Sequence, residues 1–285
     1  FMRLRIPLPT NVRTSSIVRS GSPNCLSAAF TALQNKYNTV SALNPVPGED
    51  VGQVADLSEY NDALAIAEGL LAEGGEDAAL EAATAALDSA QAHLVYNLPK
   101  ADTDYLILLG LDAIKTNHLT DMGIYADADM ALLRWTYVSL TNAAYRWRFI
   151  DCGEQKHGLP AYNLMNVATE CYPARSIEAN NPVSLHEDTT EVRPYNIFFV
   201  NNGKVALADT YWANGGQSLH PLNHGSGAAA NKGHRMITWG RTDAASAMYV
   251  VEAEKYINDV LESLDIENID VTDEYVAPAV KGTFD

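Results

Sequence analysis

Three histidines form the group of side chains in this chain best suited to metal chemistry: His220-Pro-Leu-Asn-His224, with His234 ten residues further on. Imidazole is a common zinc ligand, and three of them with one open position could activate water for hydrolysis. An i, i+4 pair converges on one face only if it sits on a helix. Pro221 and the neighbouring glycines favour a loop instead. No Asp or Glu stands between Asp209 and Asp243 to act as a base or to orient a ligand. The sequence therefore assigns neither metal nor cofactor. A metal-dependent hydrolase using His220, His224 and His234 is kept as an alternative.

Other clusters read more simply as structure. His186-Glu187-Asp188 places acid, base and ligand types in a row, but neighbours diverge in both strand and helix. Gly225-Ser-Gly-Ala-Ala-Ala-Asn-Lys-Gly233 is rich in small residues yet lacks the order of a phosphate loop. His-Gly-Ser-Gly around Ser226 is not a hydrolase elbow. Tyr145-Arg146-Trp147-Arg148-Phe149 could stack bases, but it reads better as the end of an amphipathic helix, with Trp147 in the core and the arginines meeting the chain's many acids. Cys25, Cys152 and Cys171 form no C-x-x-C pair, which suits reduced, packed thiols in an intracellular protein.

The elements expected to carry these groups are largely helical. Leu57, Tyr60, Leu64, Ala67 and Leu71 recur at helical spacing, Gly74-Gly75 interrupts, and an Ala-rich stretch from Glu76 follows, predicting an αα-hairpin over 56–94. Met130, Leu133, Tyr137, Leu140, Ala144 and Trp147 step by three and four, predicting a long amphipathic helix. A second such helix is expected over 242–264. Tyr195–Val200, Asn201-Asn202-Gly203 and Lys204–Leu207 carry a β-hairpin signature, and Arg235–Trp239 reads as a further strand. No internal repeat stands out. The expected fold is α+β: a mainly helical body with a β-hairpin-containing segment and extended arms at both ends. Its divisions are a basic arm over 1–55, a single body over 56–264 and an acidic tail over 265–285. Within the body, 56–150 is helical, 151–241 is β- and loop-rich, and 242–264 is a helix.

Charge separates along the chain. Residues 1–48 hold Arg3, Arg5, Arg13, Arg19 and Lys36 and no acid, whereas 49–99 hold eleven acids and no Lys or Arg. The net charge is −17, so removing the +5 of the first 48 residues leaves −22 on the other 237. Such a body repels nucleic acid. No apolar run reaches the ~20 residues that cross a bilayer, and the N-terminus lacks the apolar core of a signal peptide. The organisation leads to a self-assembling structural protein, a viral or phage capsid-type subunit. Its partners are copies of itself, contacted through Arg3, Arg5, Arg13 and Arg19, with nucleic acid enclosed rather than tightly bound. Its place is the virion or host cytoplasm. An intracellular adaptor or binding protein is the remaining alternative.

Overall fold

The structure is a computed structural model and describes residues 27–110, 121–156, 159–174, 181–190, 192, 194–209, 221–225, 234–240 and 243–263. Among these residues the chain forms four α-helices and twelve strands. The helices are α1 (Ala28–Ser41), α2 (Ser58–Glu73), α3 (Asp77–Ala92) and α4 (Ala253–Ser263). The strands are β1 (Tyr105–Leu109), β2 (Met122–Asp127), β3 (Leu132–Tyr137), β4 (Arg146–Lys156), β5 (Leu159–Asn166) and β6 (Tyr172–Pro173), followed by β7 (Leu185–His186), β8 (Tyr195–Phe199), β9 (Val205–Asp209), β10 (Leu222–Asn223), β11 (Ile237–Thr238) and β12 (Met248–Glu252).

The first three helices make a bundle with its own core. Ser27 caps α1 by accepting the Phe30 N–H at 3.1 Å. Leu33 and Val40 of α1 pack with Tyr60, Ala63 and Ala67 of α2 and with Leu80, Ala83, Leu87 and Ala90 of α3. The alanines at the contact let the helices approach closely. The buried Tyr60 hydroxyl donates to the Val40 carbonyl at 2.7 Å, tying α2 to the end of α1.

The strands close into a barrel. β12, β9, β8, β5, β4 and β1 are successive antiparallel neighbours, and β1 pairs again with β12 over Tyr105–Leu109 and Met248–Glu252. The remaining strands form three two-stranded pairs: β2–β3, β6–β7 and β10–β11. Chain order thus repeats one pattern three times: barrel strand, short pair, barrel strand, over β1–β4, β5–β8 and β9–β12. This is β-trefoil topology. The short pairs meet one another through the bridges Leu132↔Ser184, Pro182↔Ile237 and Arg134↔Arg235.

Alternation fills the barrel. Residues two apart point to one face of a strand, and each barrel strand sends such a pair inward: Ile107 and Leu109, Trp147 and Phe149, Tyr162 and Leu164, Tyr195 and Ile197, Val205 and Leu207, Met248 and Val250. Trp147 is fully buried, and its indole N–H donates to the Ile124 carbonyl at 3.2 Å. β1 departs from alternation because both its faces are covered. Leu106 and Leu108 point outward into a second cluster with Tyr256 and Val260 of α4, and the whole strand is buried. The Tyr256 hydroxyl donates to Asp121 at 2.9 Å; burial and that carboxylate together push its pKa well up.

The expected mainly helical body is therefore corrected to a six-stranded antiparallel barrel with a helical bundle attached. The αα-hairpin over 56–94 forms as α2 and α3, but the two long amphipathic helices do not. The stretch read as the first, from Met130 to Trp147, becomes β3, a 3-10 turn and the start of β4. Ala131 adopts a φ of +49° at the turn between β2 and β3, and Ala143–Tyr145 makes a single 3-10 turn. The three-four spacing there is coincidental: Leu133/Trp135 and Trp147/Phe149 are the pairs that are buried, and they are two apart. The stretch read as the second long helix is split into β12 and α4, because Met248–Glu252 complete the barrel. The 195–207 hairpin forms as expected, with φ of +59° at Asn202 and +68° at Gly203. The arm arginines Arg3, Arg5, Arg13 and Arg19, and the acidic tail over 265–285, lie outside the described residues.

Candidate ligand cleft

The connections that leave the bundle run along the barrel and build a cleft there. Between α1 and α2 the chain makes the bridges Pro47↔Val54 and Val51↔Val250, and Val54 bridges to Tyr96 after α3. Asn97 locks the two connections: its N–H donates to the Gln53 carbonyl at 2.8 Å, its side-chain amide to the Gly48 carbonyl at 2.8 Å, and its own carbonyl accepts the Gly52 N–H at 3.0 Å. Close approach to the β8–β9 turn requires Gly52. Its φ is +87°, and a Cβ there would stand 2.7 Å from a Val205 methyl and 3.1 Å from the Gly203 carbonyl oxygen. The Asn44 side chain also donates to the Asn202 side chain, and the Asn202 N–H to the Asn44 carbonyl at 3.1 Å.

The resulting cleft has a volume of about 470 Å³ and combines Asp50, Gln53, Asn202, Lys204 and Tyr249 with the valines Val46 and Val51. Some of its polar atoms are already engaged. Gln53 Oε1 accepts the Asp50 N–H at 3.0 Å. The Lys204 ammonium donates to the Gly110 carbonyl at 3.0 Å and lies 5.6 Å from the centroid of the Tyr249 ring. Asp50 is the charged acceptor. Its carboxylate is only 18% exposed and lies 4.0 Å from the Lys255 ammonium. Burial raises its pKa above the ordinary carboxylate value, opposed by Lys255 and reinforced by Asp259, Glu252 and Glu49. The described lining thus offers a carboxylate, an ammonium, two amides and an aromatic ring, a set suited to hydrogen-bonded recognition.

His224 and His234 both pack against Trp135. His224 is buried: its N–H donates to the Ala245 carbonyl at 3.2 Å, and its own carbonyl accepts the Trp135 indole N–H at 3.0 Å. Its Nε2 has no hydrogen-bond partner. Burial lowers its pKa, opposed by Asp243. His234 is exposed and stacks on Trp135 at 4.4 Å with planes 9° apart, while His224 meets the same ring edge-on at 5.8 Å. His220 lies outside the described residues. Among the described residues no three His, Cys, Asp or Glu side chains come together as a metal group.

Where they fall on described residues, the remaining candidates resolve as local structure. Asp188 accepts the Thr190 N–H at 2.8 Å, which closes a turn, and the Ser184 hydroxyl lies 3.3 Å from His186 Nε2. In the Arg146–Phe149 segment Trp147 and Phe149 point inward, and Arg148 pairs outward with Asp104 at 2.6 Å. Gly225 has a φ of +60°, and its N–H donates to Asn223, whereas 226–233 lie outside the described residues. Cys152, within β4, and Cys171, between β5 and β6, are both partly exposed. The acids of the helical hairpin are all surface groups: Glu59, Asp62, Glu68, Glu73, Glu76, Asp77, Glu81 and Asp88 are exposed, with Lys36 paired to Asp88.

Sequence reasoning missed the cleft because its residues come from distant segments. The Asn201-Asn202-Gly203-Lys204 turn was the visible part of it. The threefold pattern also left one trace: Asn142-Ala-Ala and Asp243-Ala-Ala each precede a barrel strand. In both, the first side chain accepts the N–H two residues on, at 2.9 and 2.8 Å.

No family model and no curated protein matches the chain. Among solved structures, a designed threefold-symmetric protein, ThreeFoil, is similar over 53% of this chain and 99% of its own, at 12% identity and a TM-score of 0.40. The Rhizoctonia solani agglutinin is similar over 55% of this chain and 99% of its own, at 15% identity and a TM-score of 0.39. A GlcNAcα1-4Gal-releasing endo-β-galactosidase from Clostridium perfringens is similar over 55% of this chain and 34% of its own, at 12% identity and a TM-score of 0.37. The fold assignment rests on the chain's own strand order. Among the described residues no helix is long and apolar enough to cross a membrane.

Proposed function

We propose that this chain is a binding protein whose ligand occupies the cleft between the bundle connections and the barrel. The observation that carries the reading is the convergence there of Asp50, Gln53, Asn202, Lys204 and Tyr249 around about 470 Å³. The ligand class these groups suit is small and rich in hydroxyl or amide groups. Asp50 accepts its hydroxyls, the side-chain amides and Lys204 donate to it, and Tyr249 offers a ring surface. Thermal unfolding against a panel of mono- and disaccharides, polyols and free amino acids tests this. A saturable rise in melting temperature that Asp50→Ala removes supports the reading. The absence of any saturable response across the panel counts against it.

A second reading, self-assembly into a capsid-type shell, draws support from charge. The basic first segment with Arg3, Arg5, Arg13 and Arg19 complements the exposed acids of α2 and α3. In that arrangement the arm of one copy lies on the helical hairpin of the next, and the same contact repeats around a closed assembly. Light scattering on a sizing column tests it: a megadalton particle supports a shell, and a mass near the 30.9 kDa of one chain opposes it.

A further inference from the structure

A second site follows from one cross-strand pair. Arg134 of β3 lies directly opposite Arg235. The flanking hydrogen bonds, Trp135 N–H to the His234 carbonyl and Met236 N–H to the Leu133 carbonyl, are each 2.9 Å. They make the arginines a non-hydrogen-bonded pair, the kind in which opposing Cα atoms come to about 4.5 Å and side chains are closest. Both side chains therefore leave the ladder on the same face, together with Tyr125, which pairs with Arg134 from β2. Like charges directly opposite each other are unfavourable. Asp127 answers Arg134: it accepts from that guanidinium at 2.6 Å, and its other oxygen accepts the Met130 N–H at 3.1 Å.

Arg235 is left without that compensation. It makes no ion pair or side-chain hydrogen bond among the described residues, and its Nε–H is buried with no acceptor. The residue nonetheless keeps part of its surface in solvent, as does Arg134. The chain carries 36 acids against 19 Lys and Arg, so an uncompensated guanidinium is unexpected on grounds of supply. Buried polar groups are normally hydrogen-bonded, and an orphaned donor calls for an acceptor from elsewhere.

We propose that Arg134 and Arg235 form a binding site for an oxyanion, the carboxylate or phosphate group of a ligand. Two adjacent guanidinium forks suit such a group because each can donate in parallel to two oxygens. Asp127 orients Arg134 through their 2.6 Å ion pair. This site is separate from the cleft: none of its residues lines that cavity.

The test titrates inorganic phosphate and, separately, acetate into the full chain, with ionic strength held constant by chloride. Melting temperature and the side-chain NMR signals of the arginines are followed. The expected result is saturable stabilisation by at least one ion, weakened at least tenfold in both Arg235→Gln and Arg235→Lys. Arg235→Lys keeps the charge but loses the fork. Both variants should retain the wild-type near-ultraviolet dichroism, which separates loss of the site from loss of the fold. Saturation by phosphate alone assigns the site to phosphate groups, and saturation by acetate as well extends it to carboxylates. Non-saturating responses to both ions, or equal responses from wild type and Arg235→Gln, would overturn the proposal.

Discussion

Tyr96 lies flat against Phe199, with ring centroids 4.2 Å apart and planes 11° from parallel. One ring belongs to the connection that leaves α3 and the other to the end of β8, so this stack joins the helical bundle to the barrel at the edge of the cleft. The Asn44–Asn202 contact and the Val51↔Val250 bridge are further links between the two parts. A double-mutant cycle with Tyr96→Ala and Phe199→Ala should give a coupling of about 0.5–1.5 kcal/mol in urea unfolding, the range for aromatic pairs. Additive effects would mean that the stack does not couple them.

The barrel centre should be the most sensitive place in the chain. Trp147 is fully buried among strands from all three trefoil units, and its N–H bonds to Ile124. Trp147→Ala should cost about 3–5 kcal/mol, the range for removing a large buried aromatic. Trp147→Phe should cost less, but still lose the hydrogen bond. Equilibrium unfolding with dichroism at 220 nm measures both, and a cost for the alanine variant below about 1 kcal/mol would contradict this core.

How far the sequence reveals this architecture depends on which signal was local. The helical hairpin was legible because Leu57 to Leu71 and the alanines after Glu76 follow one period without a competitor. The β8–β9 hairpin was legible because Asn202 and Gly203 advertise positive φ. The barrel was not. Tyr105–Leu109 is buried on both faces, so it shows no alternation. In β3 and β4 the inward pairs are too short to outvote a chance helical spacing, and tertiary closure decides. The cleft residues Asp50, Lys204 and Tyr249 meet only because β12 pairs with β9 and also bridges Val51 of the α1–α2 connection, which no local pattern records. The arginine pair was hidden for the same reason: residue 235 reaches β3 through contact between two short strand pairs.

His224 should make stability depend on pH. Burial depresses its folded pKa, so native protein keeps the ring neutral at a pH where the unfolded chain, with an ordinary value near 6.5, takes up a proton. Its contribution is therefore present above about pH 6.5 and is lost as pH falls toward and through the folded value, at up to about 1.4 kcal/mol per pH unit. Urea midpoints from pH 7.5 to 5 should fall more steeply for wild type than for His224→Leu. Equal slopes would remove His224 as the cause.

Asp50 has the opposite sign. Its folded pKa is raised, chiefly by burial and against the pull of Lys255, so its contribution is favourable at low pH and lost as pH rises through the folded value. At pH 7 its charge costs stability. Asp50→Asn should therefore melt at a higher temperature than wild type while losing ligand response, the pattern of a group kept for binding. A lower melting temperature at pH 7 would show the carboxylate to be a structural partner instead.

The shell reading has its own signature. If Arg3, Arg5, Arg13 and Arg19 meet the acids of α2 and α3 on a neighbour, association should weaken as salt rises above ~0.15 M, where charges separated by more than about 8 Å are screened. Sedimentation at low and high salt measures this. Assembly that is unchanged by salt would remove the electrostatic contact.

The most direct test of the cleft is to follow backbone amides by NMR while adding the small hydroxyl- and amide-rich ligands. Saturable shifts concentrated at Asp50, Gln53, Asn202, Lys204 and Tyr249, and absent in Asp50→Ala, are the expected result. Saturable binding whose shifts cluster elsewhere, or no saturable shifts across the panel, would contradict the assignment of this cleft as the binding site.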